Sequence, residues 1–317
     1  MEQDSTKKHI VTVLGNLVLG IGGTIDAHNH VWISKLKGVQ PGSPFLDQFD
    51  LISRELQEFY IAGGRGIIDC QPVGCGRDGN NLMALSKQSS VHIICCTGFH
   101  RRDYYPPDAS IWKMDSESLA TLFCSELQVN LQENINHEKM IRAGFIKVAF
   151  EESVKKTPQV QLEAASIAAR ETESAIEAHT EKGKDAENIL RYFLDAGIPA
   201  SKIIICHIDK RPDFVLHREL AKEGVLLEYD TFFRQKYDPE RNLWPLLTKM
   251  LLDGFDDSIA LATDMAEADS WRSLGTGPGL IGLCNQVKNR LICEQFSEIT
   301  IHKIMNLNVL ACLSKTG

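Results

Sequence analysis

Short apolar runs, each ending in a polar or metal-capable residue, recur along the chain at 24–30, 66–69, 92–97, 144–149, 175–179, 203–207, 225–229 and 259–264. Between them, 47–62, 157–173, 186–196, 212–223 and 243–253 mix apolar and charged residues at three-to-four spacing, the pattern of helices with one buried face. Gly63, Gly197, Gly224 and Gly254 follow four of these segments, where a glycine C-cap is expected. Short strand, longer helix and short strand again is the signature of βα units around a parallel sheet. Eight units predict a (β/α)8 TIM barrel, and the span 24–264 is close to the ~250 residues of a typical one.

A doubly wound dinucleotide-binding sheet uses the same units but requires a G-x-G-x-x-G turn after its first strand, which this chain lacks. Gly275, Gly277 and Gly279 lie after the last run instead, beside Pro278, and read as a flexible loop ahead of a phosphate cradle. Segment 101–116, with Pro106 and Pro107, reads as a long loop after the third strand. No Pro- or Ser-rich linker and no shift of composition divides the chain, so one domain over 1–317 is expected, with 279–317 supplying closing helices.

Composition narrows the class. A net charge of −8 with 43% hydrophobic and 24% charged residues describes an ordinary globular protein and disfavours collagen-like, disordered and nucleic-acid-binding chains. The most apolar N-terminal stretch, 10–21, is shorter than the ~20 residues of a membrane span and carries no signal-peptide cleavage pattern. Nine cysteines without a C-x-x-C pair, two of them adjacent at Cys95 and Cys96, read as small core residues in a reducing cytosol. A cytoplasmic protein with no nucleic-acid or membrane partner is expected.

The chemistry gathers at the ends of the predicted strands, where barrels of this kind build their active sites. His28, His30, Lys147, His179, His207 and Asp264 all fall there. His28 and His30, two apart on a strand, point the same way and can chelate one ion. One such histidine alone reads equally well as a core or surface residue; four of the chain's ten at strand ends do not. Lys147 admits two readings, an ammonium reaching outward from the strand end or a neutral amine that captures carbon dioxide to become a carbamate.

The ordered set Thr12-Val13-Leu14-Gly15, Gly23-Thr24, His28-Asn29-His30, Gly144-Phe145-Ile146-Lys147-Val148-Ala149, Ala178-His179, Ile205-Cys206-His207-Ile208-Asp209 and Ala262-Thr263-Asp264 resembles the phosphotriesterase family of the amidohydrolase superfamily over nearly the whole chain. The resemblance implies an amidohydrolase-type barrel with two divalent metal ions. His28, His30 and Asp264 would hold one and His179 and His207 the other, with N6-carboxylated Lys147 and a hydroxide between them. It also implies Asp264 and Lys147 as catalytic residues, Asp264 taking the nucleophile's proton. Mixed nitrogen and oxygen ligands suit zinc, with manganese or cobalt as alternatives. Asn29 stands where the family often has glutamate; its side chain is expected to point away from the metals, with no part in the chemistry.

Segments 228–237 and 264–279 resemble the branch that hydrolyses phosphorylated sugar (furanose) lactones, in which an arginine and a tyrosine three residues apart grip the phosphate. By position these are Arg234 and Tyr237, with Lys210 as a third substrate-binding residue. Arg234 and Lys236 can also be read as solvated loop charges. The function implied is the opening of a phosphorylated sugar lactone, with a phosphotriester or another carboxylic ester as the alternative bond and a non-catalytic, metal-stabilised barrel as a distant third. The partner is a small-molecule substrate; a homodimer follows by family analogy alone.

Overall fold

The computed structural model describes residues 8–18, 20–135 and 139–316, so the ends of the expected 1–317 domain, and residues 19 and 136–138, lie outside the described residues. The apolar stretch near the N-terminus folds as an antiparallel hairpin of β1 (His9–Thr12) and β2 (Gly15–Val18). Eight strands follow: β3 (Thr24–Asn29), β4 (Gly64–Asp69), β5 (His92–Phe99), β6 (Phe145–Ala149), β7 (Ile176–His179), β8 (Ile203–Cys206), β9 (Leu226–Tyr229) and β10 (Ile259–Leu261). All pair in parallel, in chain order from β3 to β10. Each coincides with a predicted run, its ends moved by at most three residues.

Helices cover the outside of this ring: α1 (Phe49–Ile61), α2 (Gly79–Ser89), α3 (Ser116–Gln128), α4 (Gln159–Thr172), α5 (Ala186–Asp195), α6 (Phe214–Lys222) and α7 (Leu243–Leu252), then the short α8 (Lys288–Cys293), α9 (Glu298–His302) and α10 (Asn308–Leu313). With both faces covered, the strands are near-continuous apolar runs, as in Ile203–Cys206, where every residue is buried. The glycines after α1, α5, α6 and α7 cap their helices with φ of 100°, 83°, 90° and 83°. The sequence pattern misses α2 and α3. The former opens on Gly79-Asn80-Asn81, which masks its period, and is started by Asp78 accepting from the Asn81 amide.

Inside the ring, the end away from the strand C-termini is filled by Ile25, Ile68, Ile94, Phe145, Ile204 and their neighbours and is plugged by Ile10 and by Val309, Leu310 and Leu313 of α10. The opposite end is polar. Among the described residues no β-ladder joins β10 to β3. Side chains close the ring there. Asp26 accepts from the Thr263 amide at 3.0 Å and hydroxyl at 2.5 Å, and Asn29 donates to Asp26 at 2.8 Å and to Thr263 at 2.7 Å. The Asp264 amide then reaches the His28 carbonyl at 2.9 Å. Asn29 is thus turned to this seam, and its buried amide fastens the first strand of the ring to the last.

The glycine run after β10 differs from its expected flexibility. Glu55 of α1, fully buried, accepts from the amides of Ser273 at 2.7 Å and Leu280 at 3.0 Å and pins both ends of the loop. Among the described residues no helix is long and apolar enough to cross a membrane.

Candidate metal centre

Six inward-facing side chains from five strands converge at the C-terminal mouth. His28 and His30 leave the end of β3, Lys147 lies mid-β6, His179 ends β7, His207 follows β8 and Asp264 stands three residues past β10. Lys147 sits opposite Gly98 of β5, where a Cβ would run into the Lys147 carbonyl, so only glycine lets these strands pair. His207 and Asp264 adopt left-handed φ of 60° and 49°, ending each strand in a sharp turn that brings the side chain over the mouth. Such a backbone costs a non-glycine residue about 1–3 kcal/mol, a strain typical of functional sites.

The groups meet closely. Lys147 Nζ lies 3.0 Å from His28 Nε2, and His207 Nε2 lies 2.8 Å from His179 Nδ1. Asp264 Oδ1 is 3.8 Å from the Nε2 atoms of both His28 and His30. Ligand atoms of His28, His207 and Asp264 all fall within 4.8 Å of one another.

What turns this cluster toward metal chemistry is how each ring is held. His28 sets Nδ1 against Glu177 at 2.9 Å and Glu228 at 3.0 Å, His30 sets Nδ1 against Gln71 Oε1 at 2.8 Å, and His207 sets Nδ1 against Asp230. His179 is held the other way round, with Nε2 against Glu181 at 3.1 Å. An imidazole that donates through one nitrogen offers the lone pair of the other. The nitrogens left over, Nε2 of three rings and Nδ1 of His179, are those that face Lys147, Asp264 or each other. Neutral imidazoles beside an ionised carboxylate are the donor set a divalent cation takes.

Electrostatics agree for three of the four rings. Burial lowers His30 to about 3 and His179 to about 4, and holds His207 well below its ordinary value, so all three are neutral near pH 7. His28 moves up, because the negative groups around its ring outweigh burial. Burial would raise the Asp264 carboxyl, but His207, Arg234 and Lys210 hold it well below the usual carboxylate range.

Above these groups opens a cavity of about 660 Å³ lined by His30, His179, Lys210, Arg234, Tyr237 and Asp264 among others. Arg234 is 18% exposed and donates through Nη2 to Asp264 Oδ2 at 2.8 Å and to the Asp264 carbonyl, so it is not a solvated loop charge; Lys236 is exposed. The buried Nε of Arg234 has no partner. Lys210 Nζ lies 3.4 Å from Asp230 and 5.7 Å from the Tyr237 ring centre.

Several site groups escaped the sequence reading. Glu177 and Glu228 stand two residues before His179 and Asp230, and that period of two on inward-facing strands is a signal that could have found them. His100, its ring 5.3 Å from that of His179, and Tyr104 beside it lie just past β5, which runs two residues beyond its expected end.

The profile of the phosphotriesterase family matches residues 9–310. The chain belongs to the phosphotriesterase family. Among curated relatives, a phospho-furanose lactonase of Mycoplasmopsis synoviae is 27% identical, over 84% of this chain and 79% of that one. An aryldialkylphosphatase of Saccharolobus solfataricus is 23% identical, over 71% of this chain and 70% of that one. The solved structure of a lactonase from Listeria monocytogenes, 23% identical, superposes with a TM-score of 0.87 over 96% of this chain and 98% of that one, which shows the shared barrel. As a member of the phosphotriesterase family the chain is a hydrolase, and the family's sites are binuclear metal centres.

Proposed function

We propose that the chain is a metal-dependent lactonase opening a phosphorylated sugar lactone. The observation that carries this reading is the convergence of ligand-ready imidazole nitrogens on Asp264 beneath a cavity walled by Lys210, Arg234 and Tyr237. His28, His30 and Asp264 would hold one ion and His179 and His207 the other, with N6-carboxylated Lys147 reaching both. Zinc suits these donors, and manganese or cobalt fits them too. When bound, the ions supply a water that ionises near neutral pH and a Lewis acid that polarises the carbonyl.

The chain's own residues do the rest. Asp264, kept ionised by Arg234 and Lys210, accepts the proton of the attacking water and returns it to the ring oxygen as the carbon–oxygen bond breaks. Arg234, with Nε free of partners, offers a planar fork to an anionic group; Lys210 adds a charge and Tyr237 a neutral donor. The likeness to the Mycoplasmopsis synoviae phospho-furanose lactonase supports the phosphorylated lactone. A phosphotriester or another carboxylic ester is the second reading, favoured by the likeness to an aryldialkylphosphatase. A neutral triester would offer no anionic group to the Arg234 Nε that has no partner. We further propose a single-domain protein of the reducing cytosol, on the strength of its mostly buried, free cysteines.

The test compares metal-loaded protein on matched furanose lactones with and without a phosphate, before and after Arg234→Met. Any effect passed through Asp264 falls on both substrates, so the expected result is a loss of kcat/KM at least about tenfold greater on the phosphorylated lactones than on their unphosphorylated counterparts, as for removal of a charge-assisted contact. Failure to open any phosphorylated furanose lactone would overturn the reading.

A further inference from the structure

The partners that hold the four rings are not alike. Glu177, Glu228 and Asp230 are wholly buried and Gln71 nearly so, whereas Glu181, which holds His179, has a side chain 27% exposed at the rim of the cavity. Beside His179, the Glu181 carboxylate has one charged neighbour among the described residues. Arg101 donates through Nη1 to Glu181 Oε1 at 2.9 Å, the same oxygen that faces His179 Nε2, and through Nε to Glu151 at 3.2 Å. Glu151 in turn accepts from the Arg102 amide at 3.2 Å. Arg101 follows β5, Glu151 follows β6 and Glu181 follows β7, so a single guanidinium ties three loops of the mouth together.

We propose that Arg101, acting through Glu181, is the positioning residue for the metal position at His179 and His207, and that it leaves the position at His28, His30 and Asp264 untouched. The proposal rests on the binuclear reading above. A planar guanidinium fixes both carboxylates at once. With Glu181 fixed, Nε2 of His179 stays the donor and Nδ1 stays the ligand. Without Arg101, the part-exposed Glu181 carboxylate swings into solvent and the ring is free to rotate or to exchange its proton between nitrogens. The rings of the other position are locked by groups that solvent does not reach, so they do not respond.

The experiment titrates metal-free full-length protein with zinc against a chromophoric chelator, with elemental analysis of the loaded forms, for the parent, Arg101→Met, Glu181→Ala, Glu181→Gln and His179→Ala. The parent is expected to take up two equivalents. Arg101→Met and Glu181→Ala weaken one equivalent by about 10–100-fold, the usual effect of removing an orienting partner of a metal ligand, and leave the other at parental affinity. Glu181→Gln, which keeps an oxygen to accept from Nε2, restores most of the loss, and His179→Ala abolishes that equivalent. Parental titration of both Arg101→Met and Glu181→Ala, or equal weakening of the two equivalents, overturns the proposal while the binuclear reading stands. A parent that binds one equivalent, or a His179→Ala protein that still binds two, overturns both. Unchanged urea midpoints across the set separate a loss of positioning from a loss of fold.

Discussion

Phe145 and Lys147 are two residues apart on one strand, point into the same ring and are both 0% exposed, yet they belong to two different kinds of interior. The same change occurs along β9, where buried Leu226 gives way to Glu228 and then Asp230. At the closed end, Phe145 and its neighbours are stable because they leave water, at about 25 cal/mol per Å² of apolar surface. At the mouth the same burial works against every group, and each charge is tolerable only through a specific partner. Satisfaction there is incomplete: Glu177 Oε2, Glu228 Oε1 and Asp230 Oδ1 are buried with no hydrogen-bond partner. The closed end supplies stability that the mouth uses for chemistry.

Asp264→Asn attacks the mouth directly. Loss of the proton acceptor is expected to lower kcat about a thousandfold, with an unfolding midpoint at or above the parent's, as measured by steady-state kinetics and urea titration. Phe145→Ala attacks the closed end and should reverse the pattern, destabilising the fold by about 3–5 kcal/mol while the surviving folded protein keeps its metal affinity. A mouth variant that unfolds, or a floor variant that loses metal before stability, would erase the distinction.

The smallest effect sharpens the comparison, because it concerns a buried histidine away from the mouth. His217 of α6 lies between the Tyr229 hydroxyl, at 2.7 Å from Nδ1, and the Arg211 carbonyl, at 2.9 Å from Nε2, and burial lowers it to about 4. A histidine whose folded value lies below its free value of ~6.5 contributes stability that is fully present above that pH and lost as pH falls toward 4. Urea unfolding of His217→Gln should therefore show a shallower loss between pH 6.5 and 4, by about 1–3 kcal/mol, than the parent. Equal slopes would place all the acid sensitivity at the mouth.

The strands were legible because a parallel sheet covered on both faces must be written as apolar runs, and Lys147, His179 and Asp264 were legible because each interrupts or ends such a run. Gln71, Arg101 and Glu181 were not, since nothing local in a loop shows which ring it will hold; Gln71 meets His30 from 41 positions away. The seam is the extreme case, with Asp26 and Thr263 separated by 237 positions. Asn29 was expected to point away from the metals; what it joins instead, Asp26 to Thr263, is something a single sequence does not show. His100 was hidden by Gly98, which reads as a strand end and is instead the position that lets β5 continue past Lys147.

That seam has a bearing on cooperativity. The contacts that fasten β3 to β10 include the one that carries Asp264 to His28, so shutting the ring and bringing Asp264 to the first metal position are one event. Loosening the barrel at this edge would part Asp264 from His28, whereas Lys147, His179 and His207 stand on β6, β7 and β8, away from the seam. Folding therefore delivers the His28, His30 and Asp264 position together with the closed ring.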